Sequence, residues 1–185
     1  MIESHPWQPF IPSGARYLFL GTFPPQPHRW SMPFYYPNPN NDFWRVMGVV
    51  FFADANHFWD ADARCFRMQQ IIDFLTEKHI AMGDTAQRVR RLRDNASDKF
   101  LEIVEPLDLN QLLLENPSIT TIIATGEKAA ATIVGDSQVP AIGVPTPLHR
   151  GGRDVTLLRM PSTSRAYPLP LAKKAATYAT IFQGS

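Results

Sequence analysis

The 185-residue sequence has a single cysteine, Cys65. One thiol excludes an internal disulfide framework and a four-cysteine iron–sulfur ligand set. No apolar run approaches the roughly 20 residues that a membrane-spanning helix needs. The opening Met1-Ile-Glu-Ser-His-Pro6 has neither the basic start nor the apolar centre of a signal peptide. The five histidines, at 5, 28, 57, 79 and 149, are scattered, and none shows a metal-ligand spacing such as His-x3-His. Charge is sparse as well: 19% of residues are charged and the net charge is +1. That balance speaks against a large nonspecific polyanion-binding surface but leaves room for a small nucleic-acid footprint. These absences together lead to the expectation of a cytoplasmic protein with no metal, no cofactor and no membrane partner.

What is present is a substantial apolar fraction, 44% of residues, enough for one globular domain spanning 1–185 with a sizeable core. Tyr17-Leu-Phe-Leu20 reads as a buried strand, within an expected strand over 16–23. The run from Gly21 to Trp44 follows it and is rich in proline, aromatics and asparagine. In an open α/β sheet ligands bind where loops leave the carboxyl ends of strands. Flat aromatic rings beside amide side chains suit a planar, hydrogen-bonding ligand such as a nucleobase.

The remaining elements follow from periodicity and breakers. Asn40, Asn41 and Asp42 offer cap chemistry for a helix over 42–52, and residues 53–65 read as irregular. Met68, Ile71, Ile72 and Leu75 give a helical period over 66–78. Residues 79–85 read as a strand, 86–98 as a basic polar stretch with a turn at Asp94-Asn95, and 99–115 as one or two helices. The β-branched run over 119–125 reads as a buried parallel strand, followed by a helix over 127–134. Further strands are expected over 139–144 and 155–160, and a last helix over 169–182. Strands alternating with helices predict a three-layer α/β/α sandwich around a central, mostly parallel sheet. Arginine clusters at Arg88, Arg90, Arg91 and Arg93, and at Arg150 and Arg153 beside His149, read either as solvated faces or as a polyanion footprint.

Three loops leave strand ends in this reading. They carry Gly21-Thr-Phe-Pro24, then Tyr35-Tyr-Pro-Asn-Pro-Asn-Asn-Asp-Phe-Trp44, and finally Met160-Pro-Ser-Thr-Ser164. In this order they resemble the uracil-DNA glycosylase superfamily, most closely its hypoxanthine-DNA glycosylase-like branch and more distantly the mismatch-specific uracil glycosylases. Ala81-Met-Gly-Asp-Thr85 and Ser97-Asp98 fall where that branch has a Trp-Asp strand end and a Ser-Asp pair. The resemblance spans roughly residues 16–182. The chain departs from it at Phe23, where many members have Asn or Asp. It departs also at Met160, where many have His or Asn, and at Arg165-Ala166-Tyr167, where the branch has Pro-Ala-Asn.

The resemblance implies a metal-independent, monofunctional DNA glycosylase acting on DNA with a damaged or deaminated base, hypoxanthine or uracil, as a monomer. It implies Asn41 as the catalytic amide, hydrogen-bonding the flipped base or orienting water. Its structural alternative is a helix cap. Gly21, Thr22 and Phe23 offer backbone N–H groups to a base carbonyl, and Asp84 is the carboxylate expected near the pocket. Phe34, Tyr35 and Tyr36 are expected to stack on the base, although adjacent aromatics also pack loops onto cores. Ser162, Thr163 and Ser164 suit phosphate contact or helix capping, and Arg165 suits a phosphate or the minor groove. Two other readings stay open: a non-catalytic nucleobase- or nucleic-acid-binding module on the same fold, and an unrelated nucleotide-using α/β enzyme. The second lacks both a Gly-x-Gly-x-x-Gly fingerprint and a Walker motif.

Overall fold

The computed structural model describes residues 1–93 and 98–183. The expected Asp94-Asn95 turn lies outside these residues, as does Ser97 of the Ser97-Asp98 pair. In chain order the elements are β1 (Ile2–Ser4), β2 (Tyr17–Gly21), α1 (Phe43–Phe52), β3 (Trp59–Asp60), β4 (Cys65–Phe66), α2 (Met68–Lys78), β5 (Ile80–Asp84), β6 (Ala86–Arg91), β7 (Leu101–Pro106), α3 (Leu109–Glu115), β8 (Thr121–Thr125), α4 (Glu127–Val134), β9 (Thr146–Arg150), β10 (Arg153–Met160) and α5 (Leu171–Ala179).

The main sheet has five strands in the order β5-β2-β8-β10-β9. The first four run parallel and β9 closes the edge antiparallel to β10. Burial explains why the central strands read as continuous apolar runs. Every residue of β2 and β5 is buried, as expected of parallel strands covered on both faces. Side chains alternate between two cores. Tyr17 and Phe19 join one with α1, α2 and α5 residues such as Phe43, Trp44, Ile71, Phe74 and Tyr178. Leu18 and Leu20 join the other with Leu112 and Leu113 of α3 and Ala129, Ala130, Ile133 and Val134 of α4.

The structure corrects several expectations. Residues 101–106 form β7 instead of a helix. Leu101 and Ile103 pack with Ala86 and Val89 while Glu102, between them, pairs with Arg90 of β6. That period-2 pattern in and out is a strand pattern. With β1 and β6 it makes a separate antiparallel sheet in the order β1-β6-β7. The expected strand over 139–144 is replaced by β9. Pro140, Gly143 and Pro145 interrupt the earlier stretch, which keeps only an isolated bridge between Ile142 and Arg159. Within the stretch expected to be irregular, the two-residue strands β3 and β4 pair as an antiparallel hairpin.

The turn after α1 depends on Gly48. A Cβ there would stand 2.3 Å from the Asp54 carbonyl oxygen, so only glycine lets the chain fold back over the helix end.

Candidate functional site

The parallel strands end in a row. In the ladder Gly21 pairs with Asp84 and Thr125 pairs with Met160. All four line one cleft of about 880 Å³. The loops that close around it are those the sequence marks out. Thr22 to Pro25 follow β2, Tyr36 to Asn41 precede α1, and Pro161 to Pro168 follow β10.

Main-chain bonds join two of these loops. Asn41 and Ser164 form an antiparallel bridge, and the Asp42 N–H donates to the Thr163 carbonyl at 2.9 Å. Side chains reinforce the junction. Asp42 accepts from Lys174 Nζ and from Arg165 Nε, both at 3.2 Å. Lys174 is 1% exposed and also donates to the Ser164 carbonyl at 3.0 Å. A buried ammonium with two oxygen partners meets the requirement that buried charge be paired. Arg45 holds the other end of the loop, donating to the Pro39 and Asn41 carbonyls at 2.7 and 3.2 Å. Its guanidinium lies over the Trp59 and Phe66 rings. Burial, with the Arg165 charge second, pulls Arg45 below the usual guanidinium range, and Asp42 works in the opposite direction.

The Asn41 side chain accepts the Phe43 N–H through Oδ1 at 2.9 Å. The acceptor end of the amide therefore serves the helix start, and Nδ2 with its two donors is the part left for a ligand. Asp42 occupies the N-cap position of α1 but makes no side-chain cap bond, because its carboxylate is committed to Lys174 and Arg165.

The three loop aromatics separate. Tyr36 lines the cleft with a positive φ of 52°. Its ring stacks on Phe43 at 4.2 Å and 11°, and its hydroxyl meets that of Thr125. Phe34 and Tyr35 do not line the cleft, contrary to the expectation that they stack on a base. Both are buried in the aromatic core, and the Tyr35 hydroxyl donates to the Gln8 carbonyl at 2.9 Å. Burial, with Asp84 second, raises the Tyr35 phenol far above its usual range.

Gly21, Thr22, Phe23, Asn41, Asp84 and Ser162 to Arg165 all line the cleft. Ser162 to Ser164 are neither helix caps nor a helix start, since α5 begins at Leu171 with Pro170 at its N-cap. The hydroxyls of Ser162 and Ser164 instead accept the N–H groups of Ser164 and Ala166, each at 3.2 Å, fixing the loop by local turns. Arg165 is 49% exposed and bonds Asp42 and Asn40.

His5 joins the site without any local sign in the sequence. Its Nε2 lies 2.7 Å from Asp84 Oδ2, with the two side chains 3% and 8% exposed. Its Nδ1 accepts the Trp7 N–H at 3.0 Å, which leaves the ring proton on Nε2 as the donor to Asp84. Trp7, Phe23 and Tyr35 surround the imidazole. Seventy-nine residues separate the partners, and no local signal connects them.

The arginine clusters prominent in the sequence are spent elsewhere. Arg88, Arg90 and Arg91 pair with Glu105, Glu102 and Glu3, and Arg153 donates to the carbonyls of Ile119, Leu113 and Asn116. Among the described residues the cations of the cleft are Arg29, Lys99, Lys128, Arg159 and Arg165, against the carboxylates Asp84 and Glu127. No group of three or more His, Cys, Asp or Glu among the described residues is placed to hold a metal ion, and no helix among them is long and apolar enough to cross a membrane.

The fold has a solved counterpart. A solution structure of a protein from Methanosarcina acetivorans, provisionally described as a uracil DNA glycosylase, superimposes with a TM-score of 0.65. The match covers 99% of this chain and 98% of that one, at 18% sequence identity. The two proteins share a fold. No protein-family model matches the chain, and no curated protein does. The shared fold is therefore recorded in backbone architecture and hardly at all in residue identity.

Proposed function

We propose that the protein is a monofunctional DNA glycosylase of the uracil-DNA glycosylase superfamily, of the hypoxanthine-type branch. It acts as a single-domain monomer on a three-layer α/β/α frame. It takes a deaminated base, hypoxanthine or uracil, out of the DNA stack into the cleft and hydrolyses its N-glycosidic bond. The observation that carries this reading is the convergence of Asn41, the Tyr36 ring and the Ser162–Arg165 loop on one cleft at the carboxyl ends of four parallel strands. The fold of the Methanosarcina protein and the Asn41-Asp-Phe-Trp44 motif support it.

The chemistry follows from the parts. A flipped base stacks against Tyr36, whose opposite contact with Phe43 keeps the ring from turning. As the C1′–N bond breaks, its electron pair moves onto the base. Asn41 Nδ2 donates a hydrogen bond to that growing charge, and water adds to C1′, giving up a proton that ends on the departing base. The cations at the rim take the phosphates on either side, with Arg165 exchanging Asp42 for a phosphate oxygen.

End-labelled duplexes with hypoxanthine, uracil or a G·U pair, incubated with the protein and then treated with alkali, test this directly. Strand scission at the modified base is expected, and background scission with every duplex would overturn it. Asn41→Ala is expected to lower excision by about 10²–10³, as for loss of one transition-state donor. Its stability should fall by only about 0.5–2 kcal/mol, a cap's worth. A second reading, a non-catalytic nucleobase-binding module, is favoured by the apolar Phe23 and Met160. It predicts salt-sensitive DNA binding with no abasic product.

A further inference from the structure

The junction between the two cleft loops holds more positive charge than one carboxylate needs. Asp42 forms ion pairs with Lys174 through Oδ2 and with Arg165 through Oδ1, both at 3.2 Å. Arg45 brings a third cation to the same junction through the Pro39 and Asn41 carbonyls. The two ion-pair partners of Asp42 differ in freedom. Lys174 is buried on α5 and also donates to the Ser164 carbonyl. One turn further along α5, the Tyr178 hydroxyl donates to the Pro161 carbonyl. Lys174 therefore belongs to the rigid side of the junction. Arg165 is half-exposed, and its other contact, Asn40 Oδ1, is long at 3.4 Å.

Two cations on one carboxylate make the outer one releasable. When Arg165 turns to a phosphate, Asp42 keeps Lys174, so no buried charge is left unpaired. The exposed half of the arrangement then costs about fivefold or less to break. Without the Lys174 charge, Arg165 would be the one ion-pair partner left to Asp42 among the described residues. The Asp42 side chain is only 11% exposed, and removing the last partner of a buried charge is the expensive case. Building on the glycosylase reading, we infer that Lys174 is a positioning residue of the DNA contact. It neutralises Asp42 from inside the fold and thereby frees Arg165 for a backbone phosphate, while it keeps the Asn41 loop joined to the loop after β10.

The test measures binding separately from excision. A labelled duplex carrying a tetrahydrofuran abasic-site analogue, which has no base to lose, is titrated with the full chain from about 50 to 200 mM KCl and followed by fluorescence anisotropy. Lys174→Gln keeps a hydrogen-bond donor and removes the charge. It should lower the salt slope by about 1, as Arg165→Ala does, and Lys174→Met should match it. In an Arg165→Ala background, Lys174→Gln should change the slope no further. Lys174→Gln combined with Asp42→Asn removes both charges and should return the slope to the native value. A role in packing alone would be rescued by the glutamine donor and would not respond to Asp42→Asn. A native slope in the single Lys174 variants, losses that add to that of Arg165→Ala, or a charge-balanced double variant that stays low would each overturn the inference. If neither single variant folds, the double variant decides alone, and a slope below the native value overturns the inference. Failure of the native protein to bind the duplex would overturn the glycosylase reading and the inference together. The expected slopes without excision of any base would keep the inference and overturn the glycosylase reading alone.

Discussion

The two faces of the main sheet are built from different materials. One core is aliphatic: Leu, Ile, Val and Ala from β2, β8, β10, α3 and α4, without a single aromatic among its buried residues. The other holds Phe19, Phe34, Tyr35, Phe43, Trp44, Phe58, Phe66, Phe74 and Tyr178. The aliphatic core only packs. The aromatic core packs and also carries the cleft, because Tyr36 rests on Phe43 and the Trp44 indole N–H holds the Tyr35 carbonyl at 3.0 Å. Large flat side chains with polar edges can bury area and fix a loop at the same time. On this side of the molecule, stability and site geometry therefore depend on the same residues.

Replacing one residue on each face tests that difference. Phe43→Ala should cost about 3–5 kcal/mol by chemical denaturation. It should also depress excision per folded molecule, because Tyr36 loses its backing ring. Leu113→Ala, fully buried in the aliphatic core, should cost about 2–5 kcal/mol with excision per folded molecule unchanged. Equal loss of specific activity in both would remove the distinction.

Tyr178 gives a smaller effect with a pH signature. Its hydroxyl donates to the Pro161 carbonyl at 2.6 Å. Burial, with Tyr167 second, raises its phenol far above the usual range. The folded state therefore favours the neutral ring. That contribution is complete below the unfolded value of about 10 and falls away as pH rises beyond it. Tyr178→Phe should cost about 1 kcal/mol near neutrality and flatten the decline of melting temperature above about pH 10, leaving the parallel contribution of Tyr35. The smallest effect is expected at Arg90→Ala, whose partner Glu102 is itself exposed. A change of about 0.2–1 kcal/mol and an unaltered salt dependence of DNA binding should set it apart from Arg165→Ala, which should reduce the salt slope by about 1.

The aliphatic side of the protein and the central strands were legible in the sequence because burial on both faces leaves continuous apolar runs such as Tyr17–Leu20 and Ile122–Ala124. The cleft loops were legible too, since proline, asparagine and glycine cannot hide in a ladder. Three things were not. Leu101 to Val104 alternate inward and outward over only four residues before a bulge breaks the register, and the leucines of α3 that follow blur that period into a helical one. Adjacent aromatics give no sign of which ring turns outward. Tyr36, with its left-handed backbone, stacks on Phe43 at the edge of that core and lines the cleft, while Phe34 and Tyr35 are buried within it. The His5–Asp84 pair depends on the first strand crossing to β6, a tertiary event that no local pattern announces. The arginine run at 88–93 misled for a related reason: charge density along a chain does not show which glutamates lie opposite it once strands pair.

The borders of the main sheet have a consequence for how the protein behaves at high concentration. At one border Phe10 exchanges two backbone bonds with Met82, each of 2.9 Å, so β5 is partly occupied by the chain's own leader into β2. At the other border β9 has Pro147, which lacks an N–H, between Thr146 and Leu148, with His149 and Arg150 beyond. A border interrupted by proline and charge is a poor template for a neighbour's strand. The sheet thus carries built-in protection against growing by addition, so that crowding of many copies need not end in edge-to-edge fibres.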